Sequence, residues 1–211
     1  MYMKTKSLEA VLFDMDGVLI DAREWHYEAL NVSLSIFGIE ISREDHEKKF
    51  NGLSTKKKLS MLTEENVLPL ELHEVIEAVK QDRTLRIAAQ RCFPNIAHQV
   101  LLTRLKANGV KVGLVTNSIR KTTEFMLEYA GLLKFMDVIV TNEDVSEGKP
   151  SPEGYLLAMK ILSVKPENCA VIEDGEYGII AAKSAGAIVV RVEDPSDVSL
   201  ELLLPLVSEL R

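Results

Sequence analysis

Five short apolar runs rich in β-forming residues constrain the fold of this chain more than any other feature. They are Val11–Phe13, Val110–Val115, Val138–Val140, Ala170–Ile172 and Ile188–Val192. Such runs read as strands buried on both faces, the pattern of a parallel sheet. Segments with helical spacing separate the later ones. Asn95–Asn108 carries Ile96, Val100, Leu101 and Leu105, and Gly109 closes it. Thr122–Ala130 carries Phe125, Met126 and Tyr129 before Gly131. Pro152–Leu162 opens on a proline suited to a first helical turn, and Gly178–Ala185 ends at Gly186. Strand and helix alternate through short joints, which predicts an α/β fold with a parallel sheet and right-handed crossovers.

The interval between the first two runs breaks this rhythm. Residues 21–91 contain no convincing strand and read as helices around Ala22–Phe37, Arg43–Phe50, Thr55–Glu65 and Leu70–Gln90. That is too long for one crossover. A helical subdomain inserted after the first strand is expected, hanging over the carboxyl edge of the sheet. Residues 1–20 and 92–211 would then form the core, and 21–91 the insert. Ser199–Arg211 reads as a short closing helix, interrupted at Pro205.

A chain of 211 residues, 46% hydrophobic, can bury a full core. Its formal net charge of -7 argues against nucleic acid or an anionic membrane as a partner, because both call for basic patches. Cys92 and Cys169 make no disulfide framework and lack metal-ligand spacing. Met1–Glu9 has no apolar secretory core, and no stretch is apolar and long enough to span a bilayer. A cytoplasmic monomer is expected.

The first run ends in Asp14-Met15-Asp16-Gly17. Ligands of open α/β sheets bind outside the carboxyl ends of the strands, so both acids stand where chemistry is expected. Two carboxylates so close repel each other unless a cation or shared proton relieves them. One would attack as a nucleophile while the other shuttles a proton. Asp followed by Gly is also ordinary turn chemistry. A calcium loop is excluded, because Gly17 comes too early and Val18, Leu19 and Ile20 follow. The second run leads into Thr116-Asn117-Ser118, the fourth into Glu173-Asp174-Gly175, and Gly148-Lys149-Pro150 precedes the fourth. Singly these read as helix caps and a solvated lysine. Together with Asp14 and Asp16 they put carboxylates, a hydroxyl and a lysine around one point.

These four motifs, in this order, resemble those of the haloacid dehalogenase-type phosphohydrolases: Asp14-Met15-Asp16-Gly17-Val18, Thr116-Asn117, Lys149-Pro150 and Glu173-Asp174. The resemblance covers nearly the whole chain. It implies a Rossmann-like parallel sheet core with an inserted all-helical cap of the β-phosphoglucomutase-like kind. It implies Asp14 as nucleophile through an aspartyl-phosphate and Asp16 as acid and base. Thr116 and Lys149 would neutralise the phosphoryl oxygens, and Asn117 would support the phosphate or its loop. Asp14, the backbone carbonyl of Asp16, Asp174 and Glu173 would surround Mg²⁺, with Glu173 either a ligand or a supporting acid.

In the insert, His26 is similar in place to a histidine that positions the acid/base aspartate and the substrate, though a structural helix-face role is the alternative. Trp25 reads as packing or as a stacking surface. Phe50–Thr55 resembles the loop that dips toward the core. True phosphoglucomutases have an arginine there for the distal phosphate. This chain has Thr55, followed by Lys56, Lys57 and Lys58, which read as a substitute point charge or as a solvated helix face. Thr55 and Lys56 are the expected substrate contacts. The expected activity is Mg²⁺-dependent hydrolysis of a small phosphorylated metabolite, such as a sugar phosphate. The alternatives are β-phosphoglucomutase-like phosphotransfer and a weakly catalytic binding protein on the same fold.

Overall fold

All five apolar runs form strands, and they lie parallel in the order β3-β2-β1-β4-β5. The strands are β1 (Ala10–Phe13), β2 (Lys111–Val115), β3 (Val138–Val140), β4 (Cys169–Glu173) and β5 (Ile188–Arg191). The computed structural model describes residues 8–203 and 206. Every residue of β1 is fully buried because neighbours flank it on both sides and helices cover both faces. Phe13 is in register with Leu114 of β2 and Ile172 of β4. The residues that follow Phe13, Leu114 and Ile172 therefore emerge together at one edge. The chain builds outward from β1 through β2 to β3, then crosses to β4 and β5. That reversal places a topological switch point beside the end of β1, where open α/β sheets bind ligands.

Helices α1 (Arg23–Ser35), α2 (Arg43–Asp45), α3 (Thr55–Glu64) and α4 (His73–Arg91) make up the insert. Helices α5 (Ile96–Ala107), α6 (Arg120–Tyr129), α7 (Glu153–Leu162) and α8 (Glu176–Ser184) cover the sheet, and α9 (Leu200–Leu203) follows β5. The insert has its own apolar cluster, including Leu30, Leu34, Phe50, Leu59, Leu62 and Ile76. Each such buried side chain contributes about 1.5–3 kcal/mol. Its root is continuous with the sheet's core: Trp25 and Ala29 of α1 and Ile87 and Ala88 of α4 join the cluster of β1 and β2. Trp25 is thus core packing, and it does not line the cavity described below.

Two helices differ from expectation. Arg43–Phe50 is a short α-helix that widens into a π-helical turn over His46–Phe50, closed by Asn51 N–H donating to His46 O at 2.8 Å. The extra residue in that turn and Gly52 (φ 76°) redirect the chain toward the sheet. The segment expected at Leu70–Gln90 begins with a 3₁₀ turn, Leu70–Leu72, before α4. Of the closing helix, Leu200–Leu203 forms, whereas Pro205 and 207–211 lie outside the described residues. Among the described residues no helix is long and apolar enough to cross a membrane.

Candidate active site

The end of β1 delivers Asp14 into a nearly dry array of charges. Lys149 Nζ lies 2.5 Å from Asp14 Oδ1 and 2.6 Å from Glu173 Oε1, with the lysine 8% and Glu173 2% exposed. Tyr155, from α7, donates its hydroxyl hydrogen to the same Glu173 oxygen at 2.7 Å. The other Glu173 oxygen accepts from the amides of Asp174 and Gly175. The sequence keeps this space open with small residues. A side chain at Gly178 would collide with the Glu173 carboxylate, and one at Gly17 (φ 95°) with Asp174.

Burial pushes the Asp14 carboxyl well above the usual range, against the pull of Lys149, and Glu173, Asp16 and Asp174 push it further. Burial and then Glu173 lift Asp174 to about 6, opposed by Arg23, whose Nη1 lies 3.4 Å from Asp174 Oδ2. Burial opposes the charge on Lys149, but Asp14 and Glu173 hold its pKa above that of a free lysine. Asp14, Glu173 and Asp174 can each offer an oxygen within 4.8 Å of the others. So much negative charge, with Lys149 and Arg23 as its near cations, fits a hard oxygen-seeking divalent cation. Glu173 already accepts from Lys149, Tyr155 and two amides, so it is committed to holding the array together.

Asp16 points away from this cluster, toward the insert. Its Oδ2 accepts from Ser118 Oγ at 3.1 Å and lies 3.1 Å from His26 Nε2. Its Oδ1 is buried without a partner. Burial works against ionisation of Asp16, but His26 and Ser118 outweigh it and hold the carboxyl below the usual range. On the other side of the imidazole, Lys80 Nζ stands 3.0 Å from His26 Nδ1. Burial, then the nearby Lys80, lowers the His26 pKa, so the ring is neutral at pH 7 with Nδ1 accepting and the proton on Nε2.

Thr116 continues β2 and is buried; its amide donates to Val140 O and its hydroxyl oxygen accepts from Ser118 N–H. Its hydroxyl hydrogen stays available to an incoming oxygen. Asn117 clamps three segments. Its Oδ1 accepts from Lys149 N–H at 2.9 Å, and its Nδ2 donates to Lys149 O at 3.1 Å and to Gly52 O of the insert at 2.8 Å.

A cavity of about 1000 Å³ lies between sheet edge and insert, lined by Asp14, Asp16, Thr116, Asn117, Lys149 and Asp174 from below. His26, Thr55, Lys56, Lys58 and Lys80 line it from above. Thr55 and Lys56 stand at the rim, Lys56 exposed, and among the described residues no hydrogen bond or ion pair joins either to the acids. The lysine run is not one solvated face. Lys56 and Lys57 are exposed, but Lys58 turns inward and is 6% exposed. Sequence reasoning missed Ser118, Tyr155, Arg23 and Lys80 as site residues. Ser118 sat beside two motif residues and was a findable signal. Tyr155, Arg23 and Lys80 lie on helices and carry no local signature.

Residues 11–192 match the sequence profile of the haloacid dehalogenase-like hydrolases. The chain is similar to the phosphorylated carbohydrates phosphatase of Thermotoga maritima, 33% identical over 85% of this chain and 82% of that protein. It is also similar to the β-phosphoglucomutase of Bacillus subtilis, 30% identical over 93% of this chain and 94% of that protein. The structure resembles that of the Clostridium difficile β-phosphoglucomutase, with a TM-score of 0.82 at 26% identity, over 96% of this chain and 98% of that one.

Proposed function

The chain belongs to the haloacid dehalogenase-like hydrolase family, and from that premise we propose that it is a Mg²⁺-dependent phosphatase of small phosphorylated metabolites, with sugar phosphates as the substrate class. One observation carries the reading. A buried carboxylate, Asp14, is held by Lys149 on the floor of the cavity, while a second carboxylate, Asp16, lines the same space with one oxygen unpartnered. The phosphorylated carbohydrates phosphatase of Thermotoga maritima supports the substrate class. The buried, unpaired thiols of Cys92 and Cys169 suit a reducing, cytoplasmic setting.

In this reading residues 21–91 act as a cap over the site. Lys149 and Thr116 hold the phosphoryl oxygens, and Asp14 attacks phosphorus in line with the departing ester oxygen. The Asp14–P bond forms as the P–O ester bond breaks. Asp16 is ionised without substrate, but an incoming phosphate dianion raises its proton affinity. Asp16 thereby takes up a proton from solvent as substrate binds, gives it to the leaving oxygen, and takes one back from the water that hydrolyses the aspartyl-phosphate. His26, itself oriented by Lys80, keeps Asp16 aimed at the cavity. Bound by Asp14, Asp174 and the Asp16 carbonyl, Mg²⁺ would supply neutralisation of the phosphoryl charge. Glu173 would steady Lys149 and the loop.

The test is phosphate release from a panel of sugar phosphates and other phosphorylated metabolites, with Mg²⁺, with chelator, and with Asp14→Asn. Metal-dependent release that disappears in the variant is expected. Release at the native rate by Asp14→Asn would overturn the nucleophile assignment. The near-full-length similarity to the Bacillus subtilis β-phosphoglucomutase favours one second reading, phosphotransfer from sugar 1-phosphate to 6-phosphate. Thr55 in place of the expected arginine weighs against it, since a point charge or hydroxyl does not replace a bidentate grip. Glucose 6-phosphate accumulating from β-glucose 1-phosphate with little free phosphate would identify it.

A further inference from the structure

Arg23 occupies a position that local physics does not favour. It is the first residue of α1, where the unpaired amides of a helix start favour an acid and repel a cation. No side chain caps that turn. What holds the guanidinium is tertiary. Nη1 stands 3.4 Å from Asp174 Oδ2, and Nη2 donates to Glu193 O, just beyond β5, at 3.3 Å. Gly17 makes room for both sides of the ion pair, since a side chain there would collide with Asp174 Oδ2 and crowd Cδ of Arg23.

The three acids whose oxygens converge are not balanced alike. Asp14 and Glu173 both pair with Lys149, whereas among the described residues Asp174 has its one ion pair with Arg23. Exposure separates the two cations. The Lys149 side chain is 7% exposed and is locked among its carboxylates, while that of Arg23 is 38% exposed. A guanidinium on a flexible stem can swing into solvent at little cost. The Asp174 side chain, 9% exposed, would stay behind as a nearly dry anion in need of a partner. A divalent cation on Asp174 would supply that partner and would repel the guanidinium beside it. We infer that Arg23 is the exchangeable counter-ion of the metal seat, pairing with Asp174 until a hard divalent cation takes its place, and so keeping that cation's binding weak and readily reversible. This rests on the proposed reading of Asp14, Asp174 and the Asp16 carbonyl as the metal seat.

The test is Mg²⁺ affinity at pH 8 on the full chain, native and carrying Arg23→Met, Arg23→Lys or Lys160→Met. It is read by calorimetry and by the rise of the thermal midpoint with Mg²⁺ concentration. Lys160 is exposed in the last turn of α7 and does not line the cavity, so its replacement removes the same charge elsewhere. Arg23→Met is expected to tighten Mg²⁺ about five- to tenfold, the size of one partly screened charge repulsion. Arg23→Lys keeps a cation on a similar stem and retains most of the native weakness, and Lys160→Met changes little. A contact that merely anchored Asp174 would give the opposite sign, because its loss would loosen the ligand set. Unchanged or weaker binding in Arg23→Met therefore overturns the inference, as does equal tightening in Lys160→Met, which would reduce the effect to net charge. Mg²⁺ binding that ignores Arg23 removes the inference and leaves the metal seat; binding detected in no chain by either measurement removes both. Phosphate release is followed in parallel. The expected Arg23 dependence with no release from any metabolite would remove the phosphatase reading and leave the counter-ion standing.

Discussion

Lys149 and Asp14 are 135 residues apart in the chain and 2.5 Å apart in space. Both are buried, and Glu173 shares the same ammonium group at 2.6 Å. Parallel pairing brings Asp14 and Glu173 together, because β1 and β4 run in register and end side by side at the switch point, and Lys149 reaches both from the segment between β3 and α7. A single buried cation thus balances two carboxylates that would otherwise repel.

Removing that cation leaves buried acids uncompensated. Lys149→Met is expected to lower unfolding free energy by about 3–5 kcal/mol in chelator. Added Mg²⁺ should then stabilise the variant more than the native chain. Denaturant titration with and without the ion checks this, and an unchanged midpoint in chelator would contradict the charge balance described here.

In the proposed mechanism Asp16 serves the leaving group, so its removal should matter in proportion to that group's need for a proton. Asp16→Ala is expected to slow release from an alkyl phosphate by ~10²–10⁴-fold. A much smaller loss is expected for p-nitrophenyl phosphate, whose anion leaves unaided. Equal losses on both substrates would place Asp16 elsewhere in the reaction.

Burial, reinforced by Lys80, pulls Lys58 down to about 7 from an ordinary 10.5. Its folded pKa is therefore below its unfolded one, and between pH 7 and 10 the unfolded chain binds more protons. Its cost to the fold is full below pH 7 and fades as pH rises toward 10. Lys58→Met should raise the thermal midpoint at pH 6–7 and flatten its rise with pH. A variant less stable than the native chain at pH 6.5 would refute the burial of an unpaired charge.

Asn117 ties the Lys149 loop to Gly52 of the insert through one amide. Asn117→Ala leaves a buried backbone amide without its acceptor and should cost about 1–3 kcal/mol. Amide exchange in residues 50–55 should accelerate together with that around Lys149. Exchange that rises at one segment alone would break the proposed coupling between cap loop and core.

Much of this was legible beforehand. The apolar runs are short and two-sided, so Val11–Phe13, Val138–Val140 and the others announce a parallel sheet wherever they fall. Asp14 and Thr116 follow directly on strands, Glu173 is the last residue of one, and strand ends converge on one edge. His26, which the resemblance singled out, stands 3.1 Å from Asp16. Less legible were residues on helices. Tyr155 reaches Glu173 from α7, and Lys80 reaches His26 across 54 residues, with nothing nearby in sequence to mark either.

By itself, then, the sequence determined the alternating order of strands and helices and the four motif stations at the sheet's edge. These depend on backbone periodicity and on which residue comes after a strand, both local properties. Only the tertiary structure decided which of Lys56, Lys57 and Lys58 is buried, and that Lys80 and His26 meet above Asp16. A helix turns each residue by about 100°, so a run of like side chains points in several directions at once. Which direction becomes interior is set by how α3 and α4 pack over the sheet, through contacts distant in the chain.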